Sequence, residues 1–205
     1  MPRTETKSTN RFTRPSEVTY ILPESASSTI TIILPPKSPW TSGSHWHEGH
    51  TEYLRVIQGA AKVTIQSHTC TYRPSDGIIT IPRFAVHEWS RVLERDDPDF
   101  DDELVVQEWT DPTDGLKEVF FRNLNSVILE HSGTGWFGSM GFILQLWTIF
   151  HGLDNWPVVV DGPFYVRWLL THVAVGIGAR FGALCGLRAV YDEYTPRELI
   201  DRRSI

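Results

Sequence analysis

Short apolar or alternating runs fill the first half of the chain, and longer patterns of helical period fill the second. The runs 18–22, 29–34, 52–57, 61–66, 78–81, 86–92 and 104–109 are separated by Pro, Gly, Ser and Asp. Successive side chains of a strand point to opposite faces, so such runs predict seven or so short strands in an antiparallel sandwich or barrel. Pro35-Pro36, Gln58-Gly59 and Ser75-Asp76-Gly77 are the clearest turns.

After residue 110 the period changes. Asp111-Pro112-Thr113-Asp114 suits a helix start, with Thr113 or Asp114 accepting free backbone N–H groups. Leu116, Val119, Phe120, Leu124, Val127 and Ile128 then recur at three- and four-residue steps, which predicts an amphipathic helix to about His131. Two further apolar stretches cover 136–150 and 164–190, and the break between them holds Asp154, Pro157, Asp161, Gly162 and Pro163. The expected organisation is a flexible N-terminal arm over 1–16, a β-barrel over 17–110, and an apolar helical extension over 111–205 packed on the barrel or on a partner.

Composition narrows the partners. The net charge of -6 lacks the basic footprint that phosphate backbones require, so nucleic acid is not expected. Much of the negative charge sits in residues 94–103, read as a solvated loop. Cys70 and Cys185 are far apart and fit no disulfide framework or zinc knuckle. The polar N-terminus has no apolar core of a secretory signal, and a reducing cytoplasmic compartment is expected.

The chemistry concentrates between residues 45 and 89. His45 and His47 are two apart, so on a strand both project from one face. Glu52 follows a turn around Gly49, on what should be the neighbouring strand of a hairpin. A fourth donor, His87, lies in the apolar run after Pro82. Imidazoles plus a carboxylate suit one divalent transition metal, Fe, Mn, Ni, Cu or Zn, and the donor set does not choose among them. Glu52 is also the candidate general base. Trp89 shares the face of His87 and is either plain core or, with Phe84, a wall of a pocket for a small hydrophobic or aromatic substrate. His50 is either a fifth polar group of that pocket or an exposed turn histidine. Trp46 should point away from the ligands and pack, and Arg55 should lie on the surface.

These residues resemble the cupin superfamily. Its first motif has His-x-His, three or four residues, Glu, six residues and Gly. Here His45, His47, Glu52 and Gly59 stand at that spacing. The second motif begins with Pro and reaches its His five residues on, as Pro82 and His87 do. Phe84 and Arg91 stand where Gly and Asn are usual, Pro39 replaces a glycine before the first histidine, and the usual Gly-Asp pair appears as Asp76-Gly77. The resemblance covers about residues 30–95. It implies a double-stranded β-helix and metal binding by His45, His47, Glu52 and His87. Through residues 117–125 and 189–196 the chain is also similar to small cupin-domain oxidoreductases of fungal polyketide clusters. That likeness implies metal-dependent oxidation of a small aromatic or polyketide-derived molecule in secondary metabolism. The alternatives are a non-oxidative isomerase, cyclase or decarboxylase, and a non-catalytic ligand-binding cupin.

Residues 169–187 contain one unconditional charge, Arg180, and a ridge of Gly178, Gly182 and Gly186. Glycine at every fourth position permits close helix contact. Spanning a membrane would place Arg180 near the centre, at a cost of ~2.5–3.5 kcal/mol. The expected partner of residues 136–190 is the barrel, a second copy in a homodimer, or a membrane surface.

Overall fold

The computed structural model describes residues 3–24, 28–131 and 136–202. The chain divides into two compact units, residues 10–113 and residues 1–9 with 114–205.

The first unit is the barrel. Its strands are β1 (Arg11–Thr13), β2 (Thr19–Ile21), β3 (Ile30–Leu34), β4 (His45–Trp46), β5 (Thr51–Gln58), β6 (Ala61–Ile65), β7 (His68–Tyr72), β8 (Ile78–Ile81), β9 (His87–Arg91) and β10 (Leu104–Asp111). One sheet runs β1-β2-β3-β10-β5-β8, and the unit's other strands run β4-β9-β6-β7. All the registered pairings are antiparallel, and the double-stranded β-helix expected from the motifs is the observed fold. Alternation places Ile30, Ile32 and Leu34 of β3, Leu54 and Val56 of β5, Ile79 and Ile81 of β8, and Leu104 and Val106 of β10 in the core. Burial of apolar area at roughly 25 cal/mol per Å² is what holds the two sheets together.

The sequence pattern missed β1 and β7. Strand β7 is polar and exposed along most of its length, so it shows no buried face to read. Of the arm expected over 1–16, the described residues are not free. Arg11–Thr13 pairs with Thr19–Ile21 in the barrel, while residues 3–9 belong to the helical unit. The solvated loop expected over 94–103 is also tied down. Asp97 and Asp99 pair with Arg73 at 2.5 and 3.0 Å, and the buried Arg91 donates to the carbonyls of Pro35, Asp99 and Phe100.

The second unit contains α1 (Leu116–Glu130), α2 (Trp136–Gly152), the two-residue strand β11 (Trp156–Pro157), α3 (Phe164–Leu184) and α4 (Arg197–Arg202). Asp114 starts α1 as expected, its carboxylate accepting the Leu116 N–H at 2.9 Å. The Arg3 guanidinium stacks on Tyr191 and donates to Tyr191, Tyr194 and Gln145. The buried Asn123 of α1 accepts the Tyr191 N–H and donates to Thr195. Segments 117–125 and 189–196, far apart in sequence, are thereby joined.

Helix α3 ends at Leu184, six residues before the sequence pattern suggested. Gly186 stands at φ +82°, the Gly186 N–H bonds Ala183 and the Leu187 N–H bonds Gly182. That pair of bonds is a Schellman C-cap, in which glycine takes the left-handed position without a Cβ penalty. Gly186 therefore terminates the helix and is not part of the ridge. Gly178 and Gly182 do carry the close contact. A Cβ on Gly178 would stand 2.0 Å from the Trp147 ring, and one on Gly182 2.5 Å from Thr148 Oγ1, both in α2.

Candidate metal centre

Four side chains converge inside the barrel. His45 on β4 pairs directly with His87 on β9, His47 follows β4 by one residue, and Glu52 lies on β5 between Thr110 of β10 and Ile81 of β8. Among the described residues, one donor atom from each of the four lies within 4.8 Å of the other three. The convergence differs from the expected hairpin. Strands β4 and β5 belong to opposite sheets, so Glu52 meets the histidines across the interior. The turn around Gly49 carries the chain from one sheet to the other, and the donors of the two sheets then meet.

Backbone carbonyls orient two of the imidazoles. His45 Nδ1–H donates to the Gly43 carbonyl at 2.7 Å, and His87 Nδ1–H donates to the Ala85 carbonyl at 2.9 Å. Each bond fixes the tautomer and leaves the Nε2 lone pair for the interior, the usual arrangement behind a metal-ligating histidine. The third, His47, donates from Nε2 to Glu52 Oε2 at 2.6 Å. His87 Nε2 is buried without a hydrogen-bond partner, and Glu52 Oε2 is 3.6 Å away. A buried polar nitrogen left in that state is costly, and a cation at the centre of the four donors would satisfy it. Burial, then the neighbouring His87 and His47, hold the His45 imidazole well below the ordinary histidine range. It is neutral near pH 7, the form a metal requires. The residues present fit a divalent metal.

The segment leading to His87 departs from the usual motif at a point the structure explains. Phe84 stands at φ +63°, in the left-handed region that favours glycine. Its N–H donates to the His47 carbonyl at 2.7 Å, which ties the second motif to the first. The turn keeps the glycine geometry while carrying an exposed aromatic ring. Arg91, where Asn is usual, turns inward and anchors the loop after β9.

The other candidate residues separate. Trp89 is buried and donates from Nε1 to Glu108 Oε1 at 2.7 Å. Its indole lies edge-on to Trp40, their centroids 5.1 Å apart. His50 is buried in the turn before β5, which corrects the exposed alternative. Trp46 is buried as expected, donating to Glu48, and Arg55 is exposed. Glu108 was missed. It sits two residues from Thr110 on the inward face of β10, in the alternating pattern of buried positions. A carboxylate in register with the inward Leu104 and Val106 was the signal.

No protein-family model matches the chain. The probable oxidoreductase patJ of Penicillium expansum is 26% identical over 169 residues, which are 80% of this chain and 49% of the relative. The chain thus spans about half the length of the curated relative it matches. Among solved structures, the oxalate decarboxylase of Lactobacillus farciminis is 21% identical over 40% of this chain and 23% of its own, with a TM-score of 0.33. CapF of Staphylococcus aureus is 19% identical over 45% and 27%, with a TM-score of 0.34. CENP-C of Drosophila melanogaster is 14% identical over 48% and 74%, with a TM-score of 0.38. The motif spacing, the two antiparallel sheets and the four inward donors together make residues 10–113 a cupin barrel.

Proposed function

We propose that this chain is a metal-dependent oxidoreductase of secondary metabolism, acting on a small aromatic or polyketide-derived molecule. The observation that carries the reading is the set of four donors, among them the buried His87 Nε2 that has no hydrogen-bond partner. The likeness to a fungal protein named a probable oxidoreductase supports the reaction class. His45, His47, Glu52 and His87 would hold one ion of Fe, Mn, Ni, Cu or Zn. A redox-active ion bound there supplies the one-electron chemistry by which O₂ reacts with an organic substrate.

The chain's own residues do the rest. Glu52, when released from the ion, would instead take the proton of a phenol or enol. His45 and His87 stay in one tautomer because the Gly43 and Ala85 carbonyls hold their Nδ1–H groups. Ile79, Ile81 and Trp89 supply apolar surface from the strands that carry or flank the donors. The nearby cations are engaged elsewhere, Arg91 with three carbonyls and Arg83 with the Glu48 carbonyl. A phosphate or second carboxylate on the substrate would therefore be desolvated without compensation, which is unfavourable. A flat, weakly charged molecule avoids that cost.

The test begins with elemental analysis of protein purified without added metal, followed by O₂ consumption with aryl aldehydes and phenols. One redox-active ion per chain and O₂ uptake with an aryl substrate are the expected results. Turnover with a redox-inert ion and no O₂ uptake would move the protein to non-oxidative metal chemistry. Response only to phosphorylated sugars or diacids would overturn the substrate class.

A further inference from the structure

The two faces of α3 are both apolar and have opposite environments. On one, Thr171, Val175, Gly178 and Gly182 are buried, and the glycines meet Trp147 and Thr148 of α2. On the other, Val166, Leu170, Val173, Ile177, Phe181 and Leu184 recur at three- and four-residue steps and are exposed, Ile177 by 62% and Leu184 by 85%. At 1.5 Å per residue this stripe is roughly 27 Å long. A helix apolar on all sides is ordinarily buried, and a soluble monomer rarely exposes a contiguous apolar patch above a few hundred Å². The stripe calls for a cover.

Charge identifies what covers it. Neither α2 nor α3 contains an Asp or Glu, whereas α3 carries Arg167 and Arg180 and the following turn carries Arg188, in a chain of net charge -6. Arg180 is exposed and lies along the stripe between Ile177 and Leu184. A second copy paired through the same face would bury Arg180 with no carboxylate from either helix, leaving a desolvated charge uncompensated. An anionic phospholipid surface meets both requirements. The arginine stem lies along apolar surface while the guanidinium reaches a phosphate, which it binds through two N–H groups. Among the described residues no helix is long and apolar enough to cross a membrane. The geometry is that of a helix lying in the plane of the interface.

We infer that α3 is a membrane-surface helix that seats its 166–184 stripe in an anionic phospholipid bilayer, with Arg180 and Arg188 on the headgroups. The inference is independent of the metal chemistry. It is tested by flotation of the full-length protein with vesicles of phosphatidylcholine, with and without phosphatidylserine. The protein floats with the phosphatidylserine vesicles, and the bound fraction falls as salt rises. Arg180→Gln lowers partitioning into anionic vesicles about fivefold. Ile177→Asp combined with Leu184→Asp lowers it more than tenfold. All three positions are exposed, and far-UV circular dichroism checks that each variant keeps its helices. Three results would overturn the inference. They are no flotation with either vesicle, equal flotation with both and no salt effect, or a sedimenting dimer that Ile177→Asp dissociates, which would assign the face to a second copy.

Discussion

The barrel and the helical unit solve opposite problems with the same kinds of residue. In the barrel the apolar side chains are inside and several ionisable groups are inside with them. Glu52 meets His47, Glu108 takes the Trp89 indole, and Arg91 holds three carbonyls. In the helical unit the inner contact is made by glycine against tryptophan, and a stripe of large hydrophobic side chains remains outside on α3. The difference teaches where each unit's specificity lies. A closed sheet has an interior to organise, so its unusual residues are polar ones turned inward. The helical unit also buries polar side chains, Arg122, Asn123 and Gln145 among them, and is set apart by the large apolar ones it turns outward.

Four tests sharpen that contrast, and the first has the largest effect. His45→Ala with His47→Ala removes two of four donors and should abolish metal binding, read by elemental analysis and titration calorimetry. The double variant keeps its β-sheet signal, because strand alternation and not the metal organises the core. Full metal occupancy in that variant would show that the ion sits elsewhere.

Next comes Gly59→Ala in the barrel. Gly59 stands at φ +76°, and a Cβ there would lie 2.6 Å from the Glu103 carbonyl oxygen. The left-handed backbone and the clash together should cost ~3 kcal/mol in chemical denaturation. A change under half that would mean the turn has room to relax.

A pair of glycines probes the helical unit. Gly178→Ala drives a methyl into Trp147 and should cost ~2 kcal/mol even after the better helix propensity of alanine. Gly176→Ala meets only the flexible end of Arg180 at 3.5 Å, and should gain ~0.5–1 kcal/mol from propensity alone. If the two variants melt alike, the ridge does not set the spacing of α2 and α3.

The smallest effect on stability is expected at Phe84→Gly. Relief of the left-handed backbone is offset by greater freedom of the unfolded chain, which leaves a net change within ~0.5 kcal/mol. Loss of the ring should instead appear in the discrimination between aromatic substrates and aliphatic ones. A large loss of stability with unchanged substrate preference would make Phe84 a packing residue.

Alternation made most of the barrel legible. A buried face repeats every second residue, so strands such as β3, β8 and β10 announce themselves, and HxH places two imidazoles together before any fold is known. Strand β7 was hidden because a polar edge strand has no buried face to leave a pattern, and β1 because three residues with one buried position, Phe12, are too few to show alternation. His50 could not be placed, since a turn residue is buried or exposed by what folds over it. The same holds for loop 94–103, which is anchored by Arg73 and Arg91 from distant strands.

Local geometry is what a sequence determines unaided. For this chain that covers the strand-rich first half, the start of α1 just after Asp114, and the identities of His45, His47, Glu52 and His87. The tertiary structure alone decided that Glu52 crosses from the opposite sheet, that Phe84 occupies a glycine conformation, and which face of α3 is left outside. The physical reason is common to all three. Each depends on a neighbour far away in the chain, and a one-dimensional pattern records a residue's own periodicity and not the identity of what it meets.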